Sequence, residues 1–422
     1  MSTPAAVVHP PAVIPDRRLL LILSALMSFG SLSVDIYLPA LPTIGRELHA
    51  DTATLNLTLS TFLIGFSLGQ LLWGPISDRV GRRLPIAIGL VLFAAGSIGC
   101  AMAGTIEHLL VWRAIQALGA CAAPVLARAM VRDLYAREHA ARMLSTLILV
   151  MAIAPLIGPI VGGQILLHAS WRAIFWMLAV LGMLATAALV LLPETLPPSR
   201  RAVEPLSHTL KGYALCARDP ALLGYAVSGG FFYAGVSAFV VGSPFAYIEY
   251  YGVSAQGYGW LFAINIAGMM VANSLNAKLM SRFGSARLFR AGVRILAFSG
   301  VWLILESHFG WGGLPGLVVP IVVFMSMNGL IVANSVAGAL AGFPERAGTA
   351  SSFLGALHFG SGIVSAWVVG ALSTGTPSAM AWVMGVSGMA SLAAAMIARR
   401  RVRALESALA ADATGRGARL PS

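Results

Sequence analysis

Asp35 is the first candidate for chemistry in this 422-residue sequence, because it lies inside a long apolar stretch, in "SVDIYLPALP". Ser24, Ser28, Ser31 and Asp35 are spaced so that a helix would place them along one side. A carboxyl group inside an apolar segment is energetically costly, and it usually faces a partner or a water-filled cavity. We therefore expect this polar stripe to line water, with Ser31 contributing to a binding cavity.

Arg113, in "WRAIQALGA", is the natural partner for Asp35. At 1.5 Å per helical residue, Asp35 lies about 5 Å and Arg113 about 9 Å below the same surface of a hydrocarbon layer about 30 Å thick. Two interpretations stay open. The pair is a static ion pair between helices, or it is a proton switch in which Arg113 keeps Asp35 ionised until the pairing weakens. Gln116, one turn from Arg113, is expected to line the same cavity.

A short charged stretch, "GPISDRVGRR" at 74–83, separates two apolar runs. Its residues of interest are Gly74, Asp78, Arg79, Gly81, Arg82 and Arg83. The two glycines would permit a tight connection between helices. The arginines taken singly are typical of topology anchors at a membrane surface. We therefore expect a tight, positively charged turn.

Glycine and proline are concentrated in "APLIGPIVGG" at 154–163. The residues concerned are Pro155, Gly158, Pro159, Gly162 and Gly163. A helix of this composition can bend and can let neighbouring helices approach closely. Glycine spacing alone favours ordinary helix packing, and a hinge is the alternative interpretation.

Four further residues are candidates for the lining of a cavity: Phe232, Tyr233, Asn328 and His358. A lone His or Asn within a membrane span more often makes an interhelical hydrogen bond than a ligand contact. The cavity assignment of these four residues is accordingly the weaker part of the expected site.

The composition defines the elements that must position these residues. Only 10% of the residues are charged, 58% are hydrophobic and the mean hydropathy is +0.83, whereas soluble domains carry about a quarter charged residues. Twelve apolar segments reach the roughly 20 residues that span a bilayer as a helix: 19–41, 54–76, 84–104, 107–130, 143–167, 171–192, 221–247, 256–279, 288–306, 314–340, 348–371 and 377–398. They are too long and uniformly apolar for barrel strands, so we expect an all-α integral membrane protein.

The distribution of arginine and lysine sets the expected orientation. With a cytoplasmic N-terminus, only Arg46 and Arg172 fall in external connections, and the remaining cationic residues outside the helices fall inside. Both termini are therefore expected to be cytoplasmic. The net charge of +12 and the pI near 10.3 are explained by topology, and nucleic-acid binding is not expected.

The chain divides at a proline-rich, charged connection, 193–220, which contains "PETLPPSRRAVEPL". It separates a six-helix half at 19–192 from another at 221–398, behind a tail at 1–18 and ahead of a basic tail at 399–422 that is expected to be disordered. "DRVG" at 78–81 is echoed by "SRFG" at 281–284. Two such halves are typical of secondary transporters.

Other kinds of chemistry lack sequence support. Cys100, Cys121 and Cys216 are widely spaced and predict neither a disulfide framework nor a metal site. The sequence contains no phosphate-binding loop, no zinc-binding helix motif and no hydrolase elbow. We therefore expect no enzymatic activity, no metal and no cofactor.

Together, these motifs resemble those of the major facilitator superfamily. "GPISDRVGRR" is similar to its loop signature, and "GPIVGG" resembles the "GPxxGG" signature of its antiporters. With "ARAMVRDL", "LPETL" and "FPERAGTASS", the chain looks like the Bcr/CflA group of drug:proton antiporters, over about residues 19–398. The resemblance implies a monomeric exporter of the bacterial inner membrane with twelve helices, which exchanges small drug-like compounds for protons and uses the proton gradient without a cofactor.

The resemblance also implies roles for particular residues. Asp35 and Arg113 would couple proton movement, and the residues of 154–163 named above would form a hinge. Asp78 and Arg82 would latch the cytoplasmic side by meeting a helix start in the other half, for which "ERAGTASS" at 345–352 is the candidate, with Thr349 as its N-cap.

Two alternatives have a different function. One keeps the fold and reverses direction, as a proton-coupled importer of a nutrient or metabolite. The other is a membrane receptor or assembly protein without transport, for which the sequence offers neither a sizeable soluble module nor a long tail.

Overall fold

The computed structural model describes residues 17–135, 143, 147, 151, 153–201, 215–340 and 347–413. Every regular element in these ranges is helical. The first half contains α1 (Arg17–Asp35), α2 (Leu41–Glu47), α3 (Thr52–Val80), α4 (Arg83–Ala101), α5 (Ile106–Leu134), α6 (Ile153–His168) and α7 (Arg172–Ala188). The second contains α8 (Pro220–Pro244), α9 (Ala255–Phe283), α10 (Ser285–Phe309), α11 (Gly313–Ser326), α12 (Asn328–Leu340), α13 (Ala347–Ala371) and α14 (Ser378–Ala413).

Within these ranges, eleven helical stretches are long and apolar enough to cross a membrane, and α6 is a shorter apolar helix of 16 residues. Each coincides with one of the twelve apolar segments of the sequence, and most of the expected start of the α6 segment, at 143–152, lies outside the described residues. The all-α membrane architecture expected from the composition is confirmed. The number of twelve helices and the cytoplasmic termini stay predictions.

The first expected segment, 19–41, is not one continuous helix. It turns at Ile36 and Tyr37, continues as a 3-10 turn at Leu38–Ala40, and resumes as α2. Pro39 is the second residue of the 3-10 turn, and Pro42 is the second residue of α2. A proline is tolerated in the first turn of a helix because the backbone N–H groups there have no intrahelical partner. Asp35 is consequently the last residue of α1.

Two further segments are also interrupted. A π-helical turn, Phe245–Tyr250, follows α8, and the expected segment 314–340 is divided at Met327 into α11 and α12. π-helical turns within helices are often found at functional sites.

The expected disorder from residue 399 differs from the structure, because α14 continues to Ala413. The sequence there, "RRRVRALESALAADA", consists mainly of Ala, Arg, Leu and Glu, which are among the strongest helix formers. A helix already formed by the preceding apolar span can continue through such residues without a new nucleation step. Residues 414–422 lie outside the described part.

The chain forms two compact units, and neither is strictly one half of the sequence. One comprises Met1–Ala50, Thr61–Val203 and Ala255–Gly259, and the other comprises Asp51–Ser60, Glu204–Ser254 and Trp260–Ser422. The main division falls inside the expected connection, 193–220. The first turns of α3 and of α9 each belong to the unit formed mainly by the opposite half.

Small residues let the helices pack backbone against backbone. A Cβ atom built on Gly96 of α4 would lie 2.5 Å from the amide nitrogen and 2.6 Å from the Cα of Gln116 in α5. Between α8 and α14, the hydroxyl groups of Ser228 and Ser391 each donate to the other residue's carbonyl oxygen, at 2.9 and 2.8 Å. In lipid, close contact and such hydrogen bonds replace the hydrophobic effect as the source of helix association.

Gly96→Ala should destabilise the protein, because the new methyl group meets backbone atoms that cannot move aside as a side chain can. Overpacking of this kind costs about 1 to 3 kcal/mol, and we expect a lower melting temperature in detergent. Gly355→Ala in α13 is the control, since no atom lies within 4 Å of its added Cβ. Equal melting temperatures for the two variants would contradict the close α4–α5 contact.

Candidate transport site

Arg82 is the centre of a polar cluster at the turn between α3 and α4. Its Nε atom donates to Asp133 Oδ2 at 2.8 Å, and its Nη1 atom donates to Asp78 Oδ1 at 2.6 Å and to Ser77 Oγ at 2.7 Å. Thr195 Oγ1 donates to the same Asp133 oxygen at 3.1 Å. Desolvation by itself would lower the pKa of Arg82, but the hydrogen bonds to Asp133 and Asp78 outweigh it and raise the pKa. We call Ser77, Asp78, Arg82, Asp133, Glu194 and Thr195 the turn cluster.

Glu194 completes the turn cluster by capping α4. Its two carboxylate oxygens accept hydrogen bonds from the backbone N–H groups of Arg82 at 2.8 Å and Arg83 at 3.1 Å. These amides have no intrahelical partner at a helix start, and the positive end of the helix dipole favours an anion there. Partial desolvation would raise the pKa of Glu194, but the backbone N–H donors hold it below its usual value.

The six residues expected around this turn have different surroundings. Gly81 forms the turn with φ of +103°, and a Cβ on it would lie 2.7 Å from Glu194 Oε2. Gly74 is a correction, because α3 continues to Val80 and Gly74 is a helical residue away from the connection. Arg83 Nη2 donates to the Leu189 carbonyl at 3.4 Å, and Arg79 is exposed.

The helix start expected to meet Asp78 is only partly visible. The described helix α13 begins at Ala347, so Thr349 is a helical residue and not the N-cap that was expected. Glu345 and Arg346 lie outside the described residues. Asp78 itself is paired with Arg82 one turn further on.

Arg113 is fully buried and does not form the expected ion pair. Its Nη1 atom donates to the Gln116 side-chain oxygen at 2.6 Å and to the Ser33 carbonyl oxygen at 3.2 Å. Its guanidinium lies over the rings of Tyr37 and Phe62, at 4.3 and 4.4 Å from their centroids. Cation–π contacts of this kind stabilise a desolvated cation.

Asp35 forms no ion pair with Arg113, so the expected pairing is wrong. On this segment Arg113 contacts the Ser33 carbonyl oxygen and the Tyr37 ring, which lie two residues before and two residues after Asp35, and α1 itself ends at Asp35. A Cβ built on Gly158 of α6 would lie 3.1 Å from the Asp35 Cβ. None of the ion pairs in the described structure joins Asp35 to Arg113. The Cβ of the buried Asp35 lies against the glycine-rich helix instead.

The glycines of α6 lie against the backbone of other elements of the same unit. A Cβ on Gly162 would overlap the carbonyl oxygen of Ile36. A Cβ on Gly163 would lie 2.6 Å from the carbonyl oxygen of Ala255, and Gln256 Nε2 donates to the Gly163 carbonyl at 3.1 Å. Pro159 is buried in α6 and Pro155 is half-buried near its start. The motif therefore provides close packing, and its role as a hinge stays a prediction.

The expected cavity residues are buried to different extents. Gln116 is a correction, because it is fully buried between helices, where its Nε2 atom donates to Ser97 Oγ at 2.8 Å. Phe232 is also fully buried and stacks on Phe324, with 6.1 Å between ring centroids. Ser31 and Asn328 are half-buried.

Tyr233 and His358 form a stacked pair between α8 and α13. Their ring centroids are 4.8 Å apart and their planes differ by 19°. Tyr233 is half-buried, and His358 is 5% exposed. Both rings belong to the second unit, and the assignment of these residues to a cavity stays a prediction.

Long apolar helices with buried polar groups between them define a multi-pass membrane protein of the solute-transporter class. The Major Facilitator Superfamily model matches residues 21–366, and the chain belongs to this family of transporters. The chain is 32% identical to the Bicyclomycin resistance protein homolog of Haemophilus influenzae, over 82% of this chain and 87% of that protein. It is 33% identical to a Chloramphenicol resistance protein of Pseudomonas aeruginosa, over 79% and 78%. The resemblance to the drug exporters of this family is thereby confirmed.

The fold is also shared with a solved structure, the crystal structure of a D-xylose-proton symporter. The TM-score is 0.74 and the superposition covers 90% of this chain and 97% of that chain, at 16% sequence identity. At this identity the similarity concerns the fold alone.

Glu194→Gln should lower the stability of the protein at neutral pH. The ionised carboxylate caps α4, and the loss of its charge should cost about 0.5 to 1 kcal/mol, since the group is exposed and screened. The folded-state pKa is depressed, so this contribution is present above the unfolded-state pKa and is lost as the pH falls through the folded-state pKa. Melting temperatures of wild type and variant should therefore differ at pH 7 and converge in acid. Arg79→Gln, an exposed neighbour, is the control, and a difference independent of pH would contradict the assignment.

Asp133→Asn should destabilise the turn cluster more than Asp78→Asn. The Asp133 side chain is 17% exposed and accepts from Arg82 and Thr195, whereas that of Asp78 is 48% exposed. Loss of a charged partner in the less hydrated position should cost about 1 to 3 kcal/mol. Thermal melts of the two purified variants provide the measurement, and the reverse order would show that Asp78 is the principal anchor of Arg82.

Proposed function

We propose that this protein exports small drug-like compounds from the bacterial cytoplasm in exchange for protons. The observation that carries the proposal is the burial of Asp35, which is 7% exposed and whose Cβ lies against Gly158 of the "GPIVGG" motif. The relatives named as bicyclomycin and chloramphenicol resistance proteins support a drug as substrate. The protein would act as a monomer in the inner membrane, powered by the proton gradient and without a cofactor.

Asp35 is the proton carrier in this proposal. Burial of a carboxylate without a partner is unfavourable, and among the described residues no side chain donates a hydrogen bond to Asp35 or pairs with it. The packed arrangement against Gly158 therefore favours the neutral acid. Water that enters beside Asp35 when α1 and α6 separate would stabilise the carboxylate, and the proton would leave at that step.

Arg113 acts as a positioning residue and not as the counter-ion of Asp35. Its hydrogen bond to the Ser33 carbonyl attaches α5 to α1 two residues before Asp35, and its bond to Gln116 fixes the orientation of the guanidinium. Movement of α5 would therefore be transmitted to the end of α1. This arrangement replaces direct charge pairing with a mechanical connection.

The turn cluster is the proposed cytoplasmic gate. Arg82, held by Asp133 and Asp78, and Glu194, bound to the start of α4, tie together α3, α4, α5 and the connection after α7. The exposed side of Asp78 is free to engage a second helix start when the cytoplasmic side closes, as the resemblance implies. The hinge role of α6 completes the proposed cycle, because its glycines permit close contact in one state and sliding in another.

Asp35→Asn should abolish export. The amide cannot exchange a proton, so a pump-deficient bacterial host that expresses this variant should lose the chloramphenicol or bicyclomycin resistance conferred by the wild type, at equal protein levels. Everted vesicles should correspondingly show chloramphenicol uptake that depends on a pH gradient for the wild type only. The readouts are minimum inhibitory concentration and vesicle uptake.

Asp51→Asn is the matched control for this substitution. Asp51 is an exposed acid whose Oδ1 accepts the Thr54 N–H at 2.8 Å, and asparagine caps a helix equally well. It should retain full resistance. Wild-type uptake that is indifferent to the pH gradient would refute proton coupling, and accumulation of a sugar or organic acid by intact cells would favour an importer instead.

A further inference from the structure

His358 has an unusual environment in the second unit. The residue is only 5% exposed, and its Nε2 atom has no hydrogen-bond partner within the described structure. One face of the ring stacks on Tyr233. A Cβ on Gly229 of α8 would lie 2.5 Å from Nε2, so this glycine leaves only enough room for the ring. A buried polar atom without a partner is rare in proteins and requires an explanation.

The surroundings of His358 contain no charged partner. The helices α8, α12 and α13 contain no Asp, Glu, Lys or Arg, and α14 contains none before Arg399. The titratable groups of α8 are Tyr225 and Tyr233, of which Tyr233 contacts the imidazole. The turn of α3 that belongs to this unit brings only Asp51 at its start, and that part of α3 contacts α13 near Gly370, three helical turns from His358. Within α8, α12, α13 and the part of α14 before Arg399, His358 is therefore the one histidine, and it has no charged residue beside it.

The contact between α8 and α13 is held by two hydrogen bonds, one and two helical turns beyond the histidine on α13. Ser361 Oγ donates to the Gly230 carbonyl at 2.7 Å, and Ser365 Oγ donates to the Ala234 carbonyl. We call this contact the His358 seam: Gly229, Gly230, Tyr233 and Ala234 on α8 and His358, Ser361 and Ser365 on α13. A protonated imidazole would carry an N–H at Nε2 that meets no acceptor in the closed seam, so the closed seam accommodates only the neutral ring.

We propose that His358 is a second proton-binding site of the transporter, loaded only when the His358 seam opens. This inference rests on the proposed function as a proton-coupled exporter. A proton from the aqueous phase adds to the lone pair of Nε2, and no other bond is formed or broken. Closure of the seam returns the proton to water. Each unit would then contain one proton site, Asp35 in the first and His358 in the second.

Two other roles for His358 predict different behaviour. If the imidazole served only to fill space between the helices, its replacement would change the stability of the protein without changing proton transport. If it were a drug contact, its replacement would change the apparent affinity for the drug without changing the number of protons moved per drug. Only the proposed role predicts that His358 binds a proton when the His358 seam is open and not when it is closed.

A disulfide across the seam provides the direct test. The Cβ position of Gly230 lies 3.9 Å from the Ser361 Cβ, which is within the usual range for a disulfide, about 3.5 to 4.5 Å. The full-length Gly230→Cys/Ser361→Cys variant, labelled with ¹³C at histidine Cε1 and placed in lipid nanodiscs, is titrated by NMR between about pH 5 and 8. The resonance that disappears after the further substitution His358→Gln identifies the residue.

The reduced and oxidised forms should differ. We expect the His358 resonance to titrate in the reduced form, where the seam opens, and to stay at its neutral position in the oxidised form. The resonance of the exposed His308 should be unaffected by oxidation of the disulfide and serves as internal control. Identical titration of His358 in both forms, or none in either, would overturn the proposal.

A second measurement is independent of the disulfide and of its folding. Proteoliposomes with wild type, His358→Gln or His308→Gln are loaded with chloramphenicol, and proton and drug fluxes are recorded together. His358→Gln should move about one proton fewer per drug than the wild type and His308→Gln. An unchanged ratio would overturn the second site. Wild-type drug flux without proton flux would instead refute the proposed antiport, and the NMR titration would still decide whether His358 binds a proton.

Discussion

A charge inside a bilayer has no water to stabilise it, and this constraint governs the arrangement of the polar side chains in the described spans. Arg113 is stabilised by two hydrogen bonds from Nη1 and by the faces of Tyr37 and Phe62, while its Nε and Nη2 atoms have no hydrogen-bond partner in the described structure. Asp35 and His358 do not satisfy it in their charged forms, because neither has an ionic partner in the described structure. The permanently charged group thus has contacts that stabilise its charge, whereas the two groups that can become neutral have no ionic partner in the described structure. Such a division is suited to groups that exchange protons.

The same constraint explains why small residues lie beside both titratable groups. Gly158 lies against Asp35, and Gly229 lies against the His358 ring. A larger side chain at either position would separate the helices, and it would admit water or other atoms beside the buried group. When the helices are in contact, glycine allows them to pack tightly enough to exclude water. If the helices move apart, glycine has no side chain that would block the entry of water. In the proposed mechanism, helix packing and protonation are therefore coupled at each site.

Sequence analysis predicted the layer in which residues lie better than the direction in which they point. The rise per residue placed Asp35 and Arg113 at similar depth, and Arg113 indeed reaches Ser33, two residues from Asp35. The rotation about α1 depends on which helices surround it, and a single sequence does not contain that information. For the same reason the capping role of Glu194 was missed, because its partners Arg82 and Arg83 are more than 100 residues away. The apolar spans themselves were predictable, since length and composition decide them locally.

The echo between the two halves shows how one turn has kept its backbone geometry and lost its charge network. Gly81 in "DRVG" and Gly284 in "SRFG" both have positive φ, +103° and +73°, at a junction between consecutive long helices. Beyond the first glycine, Arg82 is bound by Asp78 and Asp133. At the second, Ser281 is exposed and donates only to the Lys278 carbonyl. The turn itself needs only glycine, whereas the ionic cluster needs an acid at the position that Ser281 occupies, so among the described residues this network is present at the first turn and not at the second.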